Sequence, residues 1–331
     1  MILSVQDLRI WFGEPGAELT AVEGLSFEVA EGEIFAVIGE SGSGKSLTGM
    51  SILGLAPATA KAAGSIRFMG REVLNRPEAE LRRLRGREIG IVYQDPLGSM
   101  NPVWPVGDQI AEALRAHGLA DRPTAARRAV ELLERVHIPD PQRVARAYPH
   151  EISGGMRQRA MIAMALACGP KLLIADEPTT ALDVTIKAQV LELLAELRRE
   201  MALTVVIITH DMGVVAELAD RILVMYAGKA AEIGAADVIM HHPSHPYTQA
   251  LMLSAMMSET APKQALKAIE GTAPMLHAYP PGCRFHPRCP FAEADCRQQV
   301  PLLTPHGVVA LACHHPLVPA IAHELQPAEG A

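Results

Sequence analysis

The chain has 331 residues, 49% hydrophobic and 20% charged, the make-up of a globular protein with room for one large domain or two. Its formal net charge of −7 excludes the broad basic footprint of a general nucleic-acid binder, so no nucleic-acid partner is expected. No apolar run approaches the ~20 residues of a membrane-spanning helix. Met1–Ile10 carries Asp7 and Arg9 where a secretory signal would be apolar, so a cytosolic chain is expected, meeting a membrane only through partners.

Met1–Trp11 and Leu25–Val29 read as strands, with the turn-rich Gly13–Gly16 between them. Ile34–Ile38 is a short apolar run that stops at Gly39. A Gly/Ser-rich loop and the helical stretch Ser46–Leu55 follow, making a strand–loop–helix unit. Residues 76–90 are highly charged and read as a helix ending at Gly90, with a strand at Ile89–Tyr93. From Pro96 to about Ala165 the pattern is helical, broken at Pro102, Pro105, Pro123, Pro139 and Pro141. Ser153–Gly155 open a helix that runs through Ala167 and is closed by Gly169 and Pro170. Lys171–Ala175, Leu203–Thr209 and Arg221–Tyr226 are runs suited to buried strands, and Ile186–Met201 is an amphipathic helix. This alternation predicts an α/β core with a mainly parallel sheet and a helical insertion over about 96–165. Beyond residue 240 the character changes, first to a His/Pro-rich His241–Tyr247, then to a Pro/Cys-rich, poorly periodic Ala278–His315. A boundary is expected there, between 1–240 and a small appended region at 241–331.

Gly39-Glu-Ser-Gly-Ser-Gly-Lys-Ser46 matches G-x-x-x-x-G-K-[ST] without a mismatch. Gly39, Gly42 and Gly44, with Ser41 and Ser43, let the backbone wrap closely around phosphate oxygens. The N–H groups at the start of the following helix, including Leu47, add partial positive charge. Lys45 can reach the β- and γ-phosphates of a nucleotide, and the Ser46 hydroxyl can ligate Mg²⁺. The motif lies between a predicted strand and a predicted helix, as that function requires. By itself it means a nucleoside triphosphate and not a particular machine.

Lys171-Leu-Leu-Ile-Ala-Asp-Glu177 is an apolar strand ending in two carboxylates. Asp176 at the strand tip can hold the Mg²⁺ hydration shell, and Glu177 can position or deprotonate an attacking water. Thr204–Ile208 leads into His210, which can hydrogen-bond a γ-phosphate, and Gln94 at the end of the Ile89–Tyr93 strand can touch Mg²⁺ or the water. Alone, neither His210 nor Gln94 would mean more than a structural residue. Ile152-Ser-Gly-Gly-Met156 is a second helix start with bare glycines and a capping hydroxyl, again suited to an anion.

Ser153-Gly154-Gly155 resembles the L-S-G-G-Q signature of ABC ATPases, with Ile152 and Met156 at the variant ends. Phosphate loop, Gln94, signature, Asp176–Glu177, Ala181-Leu-Asp183 and His210 follow in the order of that family, so the resemblance covers about residues 1–240. It implies an ABC-type fold with a helical subdomain, ATP and Mg²⁺ as ligands, and two ATPase domains facing head to tail. Ser153, Gly154 and Gly155 would then serve the partner's ATP, and Asp183 would communicate across the interface. Phe12 stands where the family has its adenine-stacking aromatic, with Trp11 as neighbouring competitor. Met156 cannot make the hydrogen bonds of the usual Gln.

Gln94-Asp-Pro-Leu-Gly-Ser-Met-Asn-Pro102, Tyr148-Pro-His-Glu-Ile-Ser-Gly-Gly155, Ala175–Thr185 and His245-Pro-Tyr-Thr-Gln-Ala-Leu251 are similar to the dipeptide/oligopeptide import subgroup. That resemblance implies a second ATPase subunit, two transmembrane permease subunits and an extracytoplasmic substrate-binding protein. It also implies work at the cytoplasmic face of the membrane as a peripheral subunit. Nickel or another small solute is the alternative cargo, and a soluble non-transport ABC ATPase the alternative class.

Cys283-x5-Cys289-x6-Cys296-x16-Cys313 gathers four of the five cysteines, and Cys168 stands apart. Four thiolates suit tetrahedral zinc or an iron–sulfur cluster; the absence of a paired C-x2-C and the Pro after Cys289 favour the cluster. The subgroup resemblance implies a [4Fe–4S] cluster on such tails. His286, His306, His314 and His315 are possible substitute ligands, though loop histidines are more often solvated. Distance from every ATP motif assigns the tail a structural or docking role. His241, His242 and His245 read as a proline-broken connector, and Met156, Met161 and Met164 as helix packing.

Overall fold

The computed structural model describes residues 1–180, 182–260 and 269–317. The chain opens with β1 (Leu3–Phe12) and β2 (Leu19–Val29), then β3 (Ile34–Ile38), α1 (Lys45–Ile52), β4 (Ala60–Phe68) and β5 (Arg71–Glu72). α2 (Glu78–Leu84) leads to β6 (Ile89–Val92). The helical block holds α3 (Pro96–Ser99), α4 (Val106–Ala116), α5 (Arg122–Arg135), α6 (Pro141–Arg146) and α7 (Gly154–Leu166). The core resumes with β7 (Leu172–Asp176), α8 (Val184–Met201), β8 (Thr204–Thr209), α9 (Met212–Leu218), β9 (Arg221–Tyr226) and β10 (Lys229–Ala235). α10 (Ala236–His241), α11 (Pro246–Thr260) and the hairpin β11 (Thr304–His306) and β12 (Val309–Leu311) complete the α-helices and strands among the described residues.

Two sheets form. One is four-stranded and antiparallel in the order β2-β1-β4-β5; the other is eight-stranded in the order β11-β12-β10-β9-β3-β8-β7-β6. The five strands from β9 to β6 run parallel, and β10, β12 and β11 add antiparallel to that edge. Every residue of β3 and β8 is buried, as expected of parallel strands covered on both faces. Strand alternation in the sequence led to the parallel part. β4 and β10 gave no such signal because their Ala/Gly-rich stretches lack a strong period, and β5 is only two residues long.

Three apolar clusters fill the spaces between layers. Val106, Ile110 and Leu114 of α4 recur one turn apart and meet Ala125, Ala129 and Leu133 of α5. The small alanines let those helices approach closely, and Asp121 caps α5 by accepting from Thr124 N–H at 3.1 Å. A second cluster joins Leu3, Leu8, Val22 and Phe27 to Phe35, Ile174 and Ile208 of the large sheet. The third packs Tyr226, Ile239, Tyr247, Met252, Phe285, Val309 and Leu311 together, so the Pro/Cys-rich segment shares apolar contacts with the sheet edge.

The helix expected over 76–90 stops at Leu84, and Gly90 lies inside β6. A side chain at Gly90 would meet the Ala165 carbonyl at 2.6 Å, so this glycine lets α7 press against the strand and does not end a helix. Among the described residues no helix is long and apolar enough to cross a membrane.

Candidate functional site

β3 ends at Ile38 and the chain turns sharply through Gly39 into the loop that starts α1. Gly39 has φ +148°, and a Cβ there would meet the Met225 carbonyl at 2.1 Å, so only glycine fits. Lys45 is buried. Its Nζ donates to Gly39 O at 2.7 Å, Glu40 O at 2.9 Å and Ser43 Oγ at 3.4 Å. Ser46 Oγ donates to Asp176 Oδ1 at 3.0 Å, which brings the tip of β7 onto the loop.

Glu177 follows Asp176 with its backbone in the left-handed region, φ +51°. Its Oε1 lies 2.7 Å from His210 Nδ1, and its Oε2 accepts from Thr180 Oγ1 at 2.6 Å. Burial lowers the Lys45 pKa against the pull of Glu177, Asp176 and Glu40, and burial raises that of Asp176 against its bond from Ser46. Phosphate oxygens would favour the charged ammonium, and a divalent cation the charged carboxylate.

One open cleft is lined by Phe12, Gly39, Ser41, Gly42, Ser43, Gly44, Lys45, Ser46, Leu47, Gln94, Glu177 and His210. Phe12 is in this lining; Trp11 lies under the Arg9 guanidinium, 4.8 Å from it, beside a different hollow. Sequence reasoning missed Ala21, Glu40, Met50 and Leu251, which also line the cleft. Glu40 sat unremarked inside the phosphate-loop motif, and Leu251 reaches the cleft from α11, about 200 residues later in the chain.

Ser153, Gly154, Gly155 and Asp183 are not part of that lining. Ser153 is exposed and caps α7, accepting from Met156 N–H at 3.3 Å. Asp183 caps α8, accepting from Ile186 N–H at 2.9 Å. Ala181, the first residue of the Ala181-Leu-Asp183 motif, lies outside the described residues.

The four tail cysteines form no disulfide, and neither does Cys168. Burial pushes the Cys283 and Cys289 thiols up and Cys313 to about 12, with their neighbouring cysteines adding to the effect. Asp295, Cys296 and His315 place ligand atoms within 4.8 Å of one another. His286 and His314 instead meet the carbonyls of Cys283 and Gln299.

Residues 22–180 match the family model for ABC transporters. Residues 231–296 match that for the C-terminal region of oligopeptide/dipeptide transporters. The chain is 46% identical to the dipeptide transport ATP-binding protein DppD of Haemophilus influenzae, over 96% of both chains. The chain belongs to the ATP-binding proteins of the dipeptide/oligopeptide ABC transporter family. It is 47% identical to the oligopeptide transport ATP-binding protein OppD of Escherichia coli, covering 91% of this chain and 89% of the relative. Among solved structures it resembles the ATP-binding cassette MJ0796, a dimer in a post-hydrolysis state bound to ADP and phosphate. The TM-score is 0.64 and the identity 27%, over 71% of this chain and 99% of the other. Like its family, the chain is an ATPase with an ABC fold, and ATP with Mg²⁺ is its substrate.

Proposed function

We propose that this ABC ATPase powers import of di- or oligopeptides, at the cytoplasmic face of the membrane. It would work head to tail with a second ATPase subunit, under two permease subunits fed by an extracytoplasmic binding protein. The cargo class is carried by the similarity to a dipeptide transport ATP-binding protein over nearly the whole chain. In this scheme residues 1–240 form the ATPase domain, its helical part at about 96–165, and 241–331 form the C-terminal extension.

Phe12 stacks on adenine, and the loop N–H groups from Gly39 to Leu47 cradle the phosphates with Lys45. Ser46, with Asp176 and Gln94, would hold Mg²⁺, which would supply positive charge against the phosphate oxygens. Glu177 takes the proton of the attacking water. Its contacts with His210 and Thr180 hold both carboxylate oxygens in place, which supports that role. His210 then faces the γ-phosphate. Ser153, Gly154 and Gly155 complete the ATP site of the partner subunit, with Asp183 at the interface; their place outside the chain's own cleft supports a shared site.

Cys283, Cys289, Cys296 and Cys313 would hold a [4Fe–4S] cluster or zinc. None of the four thiols is in a disulfide, and Cys283, Cys289 and Cys313 lie within electrostatic reach of their neighbouring cysteines; a bound cation would stabilise the three thiolates that burial disfavours, which supports this reading. Its contribution would be structural.

The test is reconstitution with the permeases and binding protein, measuring ATP turnover and peptide uptake. Ser153→Arg should abolish turnover while the isolated subunit still binds ATP, and Lys45→Ala should weaken that binding. Equal loss of binding in both variants would contradict the shared site. Turnover stimulated by a nickel-loaded binding protein and not by a peptide-loaded one would reassign the cargo.

A further inference from the structure

We infer that Arg288, outside every nucleotide motif, is a positioning residue for the phosphate loop and ties it to the cysteine-bearing tail. Glu40 occupies a variable position of the loop motif and lines the cleft that must accept a polyanion. Left alone, its carboxylate would repel phosphate. Arg288 meets it with both terminal nitrogens: Nη1 donates to Oε2 at 2.6 Å and Nη2 to Oε1 at 3.0 Å. The arginine side chain is only 6% exposed, so water screens the pair weakly.

The same guanidinium is itself held in place. Nε donates to Glu270 O at 2.9 Å, Nη2 to Ile269 O at 3.2 Å, and Nη1 to Tyr226 Oη at 3.2 Å. A planar fork with five donors can serve all these acceptors at once, which a lysine cannot. The other polar groups of Glu40 are fixed as well. Its N–H donates to Tyr247 Oη at 2.9 Å, and its carbonyl accepts from Lys45 Nζ at 2.9 Å. Tyr226, Tyr247 and Phe285 pack together with ring centroids 4.6 to 5.4 Å apart, giving these contacts a rigid floor.

Arg288 precedes Cys289, and a second arginine repeats the arrangement. Arg284, next to Cys283, donates to the Ala227 carbonyl and the Glu23 carboxylate. The following Gly228 N–H donates to Ser43 O at 3.0 Å. Arg288 thus holds the Glu40 end of the loop directly, and Arg284 holds the Ala227–Gly228 peptide that bonds its Ser43 end. Arg288 acts by neutralising Glu40 and by holding the loop in the shape that receives phosphate.

This inference rests on the nucleotide-site reading, and a rescue experiment on the full-length chain separates the two. Arg288→Gln should raise the Kd for MgATP by about tenfold, because it leaves a partly buried carboxylate uncompensated beside the phosphates. Adding Glu40→Gln should recover most of that loss, because the charge needing Arg288 is then gone. In the assembled transporter the KM for ATP should rise by more than kcat falls. If Arg288→Gln does not fold, Arg288→Met, which also removes the charge, with and without Glu40→Gln makes the same comparison. Wild-type affinity in the Arg288 variant, or a loss that Glu40→Gln does not relieve, would overturn the inference. Undiminished MgATP binding by Lys45→Ala would instead overturn the nucleotide site itself.

Discussion

Glu177 holds a backbone conformation that costs a non-glycine residue about 1 kcal/mol, and it does so between two fixed points. Its N–H donates to Ile208 O at 2.8 Å, and its carboxylate is bracketed by Thr180 and His210. The strain turns the side chain away from the strand direction followed by Asp176, so that two successive carboxylates perform different tasks. Glu177→Gln should keep MgATP binding and lower hydrolysis by a factor of about 10² or more, the usual contribution of a general base. The closed ATP-bound dimer should accumulate, visible by size-exclusion chromatography with ATP. Turnover close to wild type would remove Glu177 from that role.

Between α10 and α11 the chain is pinned by buried polar groups. The wholly buried Glu232 of β10 accepts from Ser244 N–H at 2.8 Å and His245 N–H at 3.1 Å, and His245 Nδ1 accepts from Tyr247 N–H at 3.0 Å. This turn aims Tyr247 at the phosphate loop. Burial lowers the His245 pKa from 6.5 to about 4, so the folded chain keeps the ring neutral. Below pH 6.5 the unfolded chain takes up a proton that the folded chain refuses, and stability falls as the pH drops from 6.5 toward 4. The loss should reach about 3 kcal/mol. Burial raises the Glu232 carboxyl, which acts in the opposite sense as pH falls, so a variant is needed to isolate the histidine. His245→Asn keeps an acceptor for Tyr247 but does not titrate. Denaturant melts of this variant should lack the acid-side loss; an unchanged pH profile would contradict the assignment.

At the scale of the molecule the cysteine tail closes on the large sheet. β12 pairs with β10, Phe285 enters the third apolar cluster and Arg284 and Arg288 reach the phosphate-loop edge. A metal held by the four cysteines, as proposed above, would add to the organisation of this segment. Anaerobically purified protein should contain iron and sulfide, and Cys289→Ser should lower the thermal midpoint and speed proteolysis of the tail. Stoichiometric zinc without iron would replace the cluster but keep the structural role. Neither metal, with all four cysteines freely alkylated in the native protein, would exclude both.

The ATP motifs were legible in the sequence because phosphate recognition uses consecutive backbone N–H groups, so its signal from Gly39 to Ser46 is contiguous. The carboxylates of Asp176 and Glu177 announce themselves in the same way, since an apolar strand must end where they begin. Buried parallel strands are legible for a related reason: water is excluded from both faces, and unbroken aliphatic runs result. Only tertiary structure decided that Phe12 and not Trp11 lines the cleft, because neighbouring strand residues point to opposite faces and the register selects one of them. Only tertiary structure joined Arg288 to Glu40 and brought Leu251 to the phosphate-loop cleft. Those pairings span more than 200 residues, and a single buried contact between distant segments leaves no periodic mark in either.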